Sequence, residues 1–230
     1  MIRVGGVPLI NRADRLTPVP GVHLMREEGQ ISDGGGVGIT TPDLTIQDLK
    51  VSLKDSNPMV RAAAAFAFAT MGQKTSEIVN TAMEVFQGNY YDHDKYMAKL
   101  ALIKLGEQAA PLLINSLREL VTDYPKHTSQ SLSDEIYRDK CYRTISTLRA
   151  IGTEDAISEL KKIILSNGSI YNLRWYVAEE LVKMGKKGEH VVVDLAQEDP
   201  SLTEELTGNK FSIQAWIQAR KETWTLSLRR

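Results

Sequence analysis

Four histidines (His23, His93, His127 and His190), one cysteine (Cys141) and one acid–base triplet (Asp92-His93-Asp94) are the residues of this chain that could carry metal, nucleophilic or proton-transfer chemistry. Their spacing argues against all three. Adjacent residues on a helix point in divergent directions and no second histidine stands four residues from His93, so the triplet reads as a capping turn that opens a helix. Cys141 has no second thiol with which to form a disulfide or a zinc knuckle, and lies inside a helical pattern, so it is expected as a buried structural thiol. Gly34-Gly35-Gly36-Val37-Gly38 is neither preceded by a strand nor followed by Lys-Ser or Lys-Thr, and so fails the context of a phosphate loop. What remains is binding chemistry. Tyr90, Tyr91, Tyr96, Tyr137, Tyr142, Trp175 and Tyr176 are interleaved with Arg61, Lys95, Lys99, Arg138, Lys140, Arg143 and Arg174, a mixture that anchors protein interfaces and also suits an anionic ligand. The competing reading packs Tyr96, Tyr142 and Tyr176 between helices. The cations then neutralise Asp92, Asp94, Asp134, Glu135, Asp139, Glu179 and Glu180.

Regular elements must place these side chains, and the stretch Asp55 to Gly72, DSNPMVRAAAAFAFATMG, is the clearest of them. An Asp-x-Asn-Pro turn leads into an alanine-rich helix whose Pro58 sits in the first turn, where its missing N–H costs nothing, and whose Gly72 can end it. Met71-Gly72 then recurs as Leu105-Gly106, Ile151-Gly152 and Met184-Gly185, with glycines 34, 46 and 33 residues apart. Four residues before each glycine stand Phe68, Leu102, Leu148 and Leu181; eight before stand Ala64, Ala98, Thr144 and Val177, none of them long, as a close helix crossing requires. Eleven before stand Arg61, Lys95, Cys141 and Arg174. Partner helices are expected from Leu44 to Lys54, Ser76 to Gln87, Glu107 to Val121, Glu154 to Ser166 and Gly188 to Gln197, with Pro111 early enough in its helix to be tolerated. The wide spacing between Gly106 and Gly152 is assigned to Asp123 to Ser133, a polar insertion read as a loop. Asp199-Pro200-Ser201 and Phe211 to Glu222 are read as a helical C-terminal cap over the last apolar surface.

Periods of this size mark two-helix repeat units. On Asp55, Pro58, Val60, Arg61, the Ala62 to Ala65 run and Gly72, the unit resembles the second helix of a HEAT repeat, in particular the short HEAT-like variety also found in phycobilin lyases. The resemblance spans about residues 44 to 197 and is weakest in the third unit, where Cys141 replaces the cation. It implies an all-α fold, a right-handed α-α superhelix forming a short solenoid with an extended N-terminal arm. It also implies inter-repeat roles for Asp55, Pro58, Arg61, Gly72, Gly106, Gly152 and Gly185, with Arg61 tied to the turn aspartate. The second helices would then line a concave face and bring Arg61, Tyr90, Tyr91, Lys95, Lys99, Tyr137, Arg138, Arg174 and Trp175 to a protein partner. Three other functions belong to proteins of this kind. Deoxyhypusine hydroxylase depends on several His-Glu dipeptides, and this chain has none. Bilin lyases contain similar repeats and stand as an enzymatic alternative by analogy alone. HEAT-like alkylpurine glycosylases cradle a duplex in a strongly basic groove, whereas acidic residues here offset the cations.

Composition fits the binding reading. A chain of 230 residues with 42% hydrophobic and 25% charged residues has ample length for a core, and a net charge of −1 gives no global attraction to nucleic acid or anionic lipid. One cysteine fits a reducing, cytoplasmic setting. The opening MIRVGGVPLINRADRL lacks the unbroken apolar run of a secretory signal, and no stretch approaches the roughly 20 apolar residues of a membrane span. Residues 1–43 are broken by Gly5, Gly6, Pro8, Pro18, Pro20, Gly21, Gly29 and the glycines from Gly34 to Gly38, yet carry more apolar side chains than a solvating linker needs. The expected organisation is therefore an arm over 1–43, HEAT-like repeats over 44–197 and a helical cap over 198–230. The expected role is a non-catalytic scaffold, adaptor or accessory subunit that binds another protein or an assembly, with no cofactor, no metal and no membrane insertion.

Overall fold

The computed structural model describes residues 45–123, 132–166, 171–208 and 212–227, and every regular element among them is helical. In order they are α1 (Ile46–Ser52), α2 (Pro58–Thr70), α3 (Ser76–Gln87), α4 (Asp92–Leu105), α5 (Ala110–Asp123), α6 (Leu132–Ile151), α7 (Glu154–Leu165), α8 (Tyr171–Val182), α9 (Lys186–Glu198), α10 (Pro200–Thr207) and α11 (Ile213–Ser227), with a 3-10 turn at Gly106–Gln108. The expected arm over 1–43, Leu44, and residues 124–131 of the expected loop lie outside the described residues. Among the described residues no helix is long and apolar enough to cross a membrane.

Local chemistry sets the helix ends. The Asn57 side chain accepts from the Met59 amide at 2.9 Å, and Pro58 occupies the first position of α2. At the other end the Gln73 amide donates to the Phe68 carbonyl and Gly72 takes φ +77°, closing the helix in a left-handed cap. Gly106, Gly152 and Gly185 also have positive φ, of +61°, +69° and +72°. The four glycines registered in the sequence thus share one backbone task, reversing the chain after a second helix. Part of the extra length between Gly106 and Gly152 goes into helix. α6 runs for 20 residues, against 13, 14 and 12 in α2, α4 and α8.

Packing follows chain order. α2, α4, α6 and α8 lie side by side, each on the next; α5, α7 and α9 do the same, and consecutive helices pack on one another except α4 and α5, which are joined through the 3-10 turn. Ala62, Ala64 and Ala65 of α2 and Ala98 and Ala101 of α4 are all buried, so two backbones approach closely where alanines meet. The partner helices contribute amphipathic faces such as Ile78, Val79, Ala82, Met83 and Phe86, all buried. One continuous apolar core results, running from Leu49 in α1 to Ile217 in α11. At its C-terminal end α10 and α11 pack on α8 and α9.

Candidate functional site

The spacing of residues on α4, α6 and α8 builds a cleft. Lys95 and Lys99 are four residues apart on α4; Asp139, Tyr142, Arg143 and Ser146 follow at intervals of three, one and three on α6, and so share a face. With Asp92, Tyr96 and Tyr176 these side chains line an open cleft of about 300 Å³. Its floor is aromatic: the Tyr142 and Tyr176 rings stack with centroids 4.1 Å apart. Burial pushes the Tyr176 phenol well above its ordinary value, helped by the charge of Glu180, so it remains a neutral donor. Its hydroxyl lies 3.4 Å from the Tyr142 carbonyl.

The cations of the cleft differ in how they are compensated. Lys95 sits 3.6 Å from Asp92, and Arg143 is 3.2 Å from Asp139 while its guanidinium lies 5.4 Å from the centre of the Phe86 ring. Flanking the cleft, Arg149 and Lys183 share the buried carboxylate of Glu180. Lys99 instead donates to the Ser146 hydroxyl at 2.8 Å. Desolvation lowers the Lys99 pKa from its ordinary value, and the positive charge of Arg149 adds to the effect.

The residues expected to meet a partner separate into several environments. Lys95 and Lys99 enter the cleft, as described. Arg61 is turned inward, its side chain 11% exposed, and its guanidinium donates to the Asp55 and Ser56 carbonyls, to Glu84 at 3.0 Å and to the Tyr90 hydroxyl at 3.2 Å. It therefore joins the turn before α2 to the α3–α4 hairpin. Its bond to Asp55 is to the backbone carbonyl, while the Asp55 carboxylate accepts from the Asn57 amide at 2.7 Å. Arg174, at the equivalent register, is 12% exposed and bonds the Ile164 carbonyl, Asp199 and Glu205. Against the expectation of a partner-facing role, both guanidinia are spent on neighbours within the chain. Trp175 is likewise covered, with the Arg220 guanidinium 4.7 Å from its ring centre. Tyr91 is 76% exposed and stacks on His93, Arg138 is exposed on α6, and Tyr137 lines a second cleft of about 210 Å³ with Phe86, Lys140 and Arg143.

The remaining chemical candidates take structural places. Asp94, at the start of α4, accepts from the Tyr91 amide at 3.3 Å. Cys141 is fully buried, and desolvation pushes its thiol up to about 12. Sequence reasoning missed Ser146, whose hydroxyl meets Lys99 across α4 and α6. The signal available was its position three residues beyond Arg143, on the face that carries Asp139. Comparison with family models, with curated proteins and with solved structures finds no match to this chain.

Proposed function

We propose that the chain is a short right-handed solenoid of HEAT-like hairpins that works, without catalysis, as a cytoplasmic scaffold, adaptor or accessory subunit for another protein. The observation that carries this reading is the cleft across α4, α6 and α8, which presents Tyr96, half-exposed, beside Lys95, Lys99 and Arg143 on helices that are themselves locked into one core. Aromatic side chains next to cations on a rigid support give an interface large contact area at little cost in conformational entropy. Tyr91 and Arg138, both exposed and each next in sequence to a residue that lines the cleft, add to that surface. The glycine- and proline-rich residues 1–43 supply further contacts by lying along the partner.

The test is affinity purification of the tagged full-length chain from its native cells, beside a version lacking residues 1–43, with mass spectrometry of the eluates. A stoichiometric protein partner is the expected result. Loss of that partner on removing 1–43 assigns the arm the larger share of the interface; retention assigns it to the helical face. A coloured eluate without protein partner, or one carrying nucleic acid whose binding falls steeply with salt, overturns the scaffold reading.

A further inference from the structure

The Lys99 ammonium stands apart from the other cations of the cleft. It is half-buried between α4 and α6, its hydrogen-bond acceptor among the described residues is the Ser146 hydroxyl, and no described carboxylate lies within ion-pairing distance. Every other cation lining the cleft has such a partner: Asp92 for Lys95 and Asp139 for Arg143. Desolvation of the ammonium is costly, and the positive charges of Arg149, Arg143 and Lys183 add to that cost, while the Glu180 carboxylate, already paired with Arg149 and Lys183, offsets only part of it. Arg143 is itself only 12% exposed, and its Nε is buried without an acceptor among the described residues. A half-buried ammonium and a largely covered guanidinium thus share a cleft that opens to solvent.

We propose that Lys99, Ser146 and Arg143 form a receptor for a single carboxylate, supplied by an acidic segment of a partner protein. The inference rests on the protein-binding reading above and names the chemistry of that partner. The charges of the lining favour a monoanion: Lys95, Lys99 and Arg143 stand against Asp92 and Asp139, leaving one positive charge in excess. A carboxylate entering here gives the Lys99 ammonium its missing ion pair and draws the Ser146 O–H away from the Arg143 backbone carbonyl, to which it donates at 3.0 Å. The half-exposed ring of Tyr96 at the rim packs on the aliphatic stem of the incoming residue. Binding restores the Lys99 pKa towards its ordinary value, since a nearby negative charge favours the ammonium.

Full-length protein carrying lysine labelled with carbon-13 at the ε position provides the test, with Lys99→Met used to assign the Lys99 resonance. Three probes are titrated at low salt: acetyl-Glu-Glu-Glu-amide, its uncharged glutamine counterpart and inorganic phosphate. The expected result is a saturable shift of the Lys99 signal with the acidic peptide alone, at an affinity at least about tenfold tighter than at any other lysine, weakened at least about threefold by Ser146→Ala or Arg143→Gln. An unmoved Lys99 signal, equal shifts across the lysines, an equal response to the glutamine peptide, or tighter binding of phosphate each overturns the proposal. The two readings fail separately. A partner captured equally by the wild-type and Lys99→Met chains leaves the scaffold standing without the carboxylate receptor. Saturation at Lys99 with no protein partner recovered leaves the receptor standing without the scaffold.

Discussion

At the scale of single residues, ion pairs join one hairpin to the next. Arg174 bonds three acceptors from α7, the start of α10 and the middle of α10, in a fork that a lysine cannot reproduce. Arg174→Ala is expected to cost about 3 kcal/mol by urea denaturation, because two partly buried carboxylates lose their cation, and Arg174→Lys to recover less than half of the loss. The bidentate pair between Arg118 and Glu159, at 2.8 and 2.7 Å, links α5 to α7. That hydrogen bonding, opposed by burial, holds the Glu159 carboxyl below its ordinary value of 4.5. The unfolded chain therefore binds the Glu159 proton more readily than the native one. Its contribution is fully present above pH 4.5 and is lost as the pH falls through the depressed native value. Glu159→Gln should destabilise the protein by about 1–3 kcal/mol at neutral pH, and the gap to wild type should close as urea melts are repeated at progressively lower pH.

At the scale of elements, the turns separate two kinds of glycine. Gly208 adopts φ 60°, ψ 32°, a left-handed conformation that asparagine also tolerates, whereas Gly106 adopts φ 61°, ψ −120°, which is open to glycine alone. A Cβ at either position would meet nothing within 4 Å, so any penalty is conformational. Gly208→Asn is expected to leave stability nearly unchanged, while Gly106→Asn costs about 1–3 kcal/mol, read as a drop in thermal midpoint. The same property made the helices legible in the sequence: a backbone conformation that only glycine takes freely leaves its mark at Gly72, Gly106, Gly152 and Gly185, and α3 begins and ends where periodicity places it. The site was legible only in part. Lys95 and Lys99 declare themselves by their spacing on one helix, but Ser146 joins them only once α6 lies beside α4. Trp175 read as an exposed anchor because its cover, Arg220, comes from a helix 45 residues further along the chain. Local pattern carries no record of such pairings, which tertiary packing decides.

At the scale of the whole molecule, contacts run mainly between helices adjacent or next-but-one in order, and one end of the stack has little direct hold on the other. Trp216, 4% exposed, packs into the C-terminal end of the core. Trp216→Ala should therefore accelerate hydrogen exchange in α8, α9, α10 and α11 while leaving α2 and α3 protected as before, measured by exchange mass spectrometry. Uniform acceleration along the chain would instead show that the stack opens as a single cooperative unit. The fully buried thiol in the middle of that stack makes the question accessible without engineering. Cys141 is the chain's only cysteine, and at neutral pH it is both shielded and protonated. A thiol reagent can reach it only when α6 opens, so the native protein carries its own stopwatch, and a cysteine introduced on the surface would take up a dye long before the clock inside had ticked.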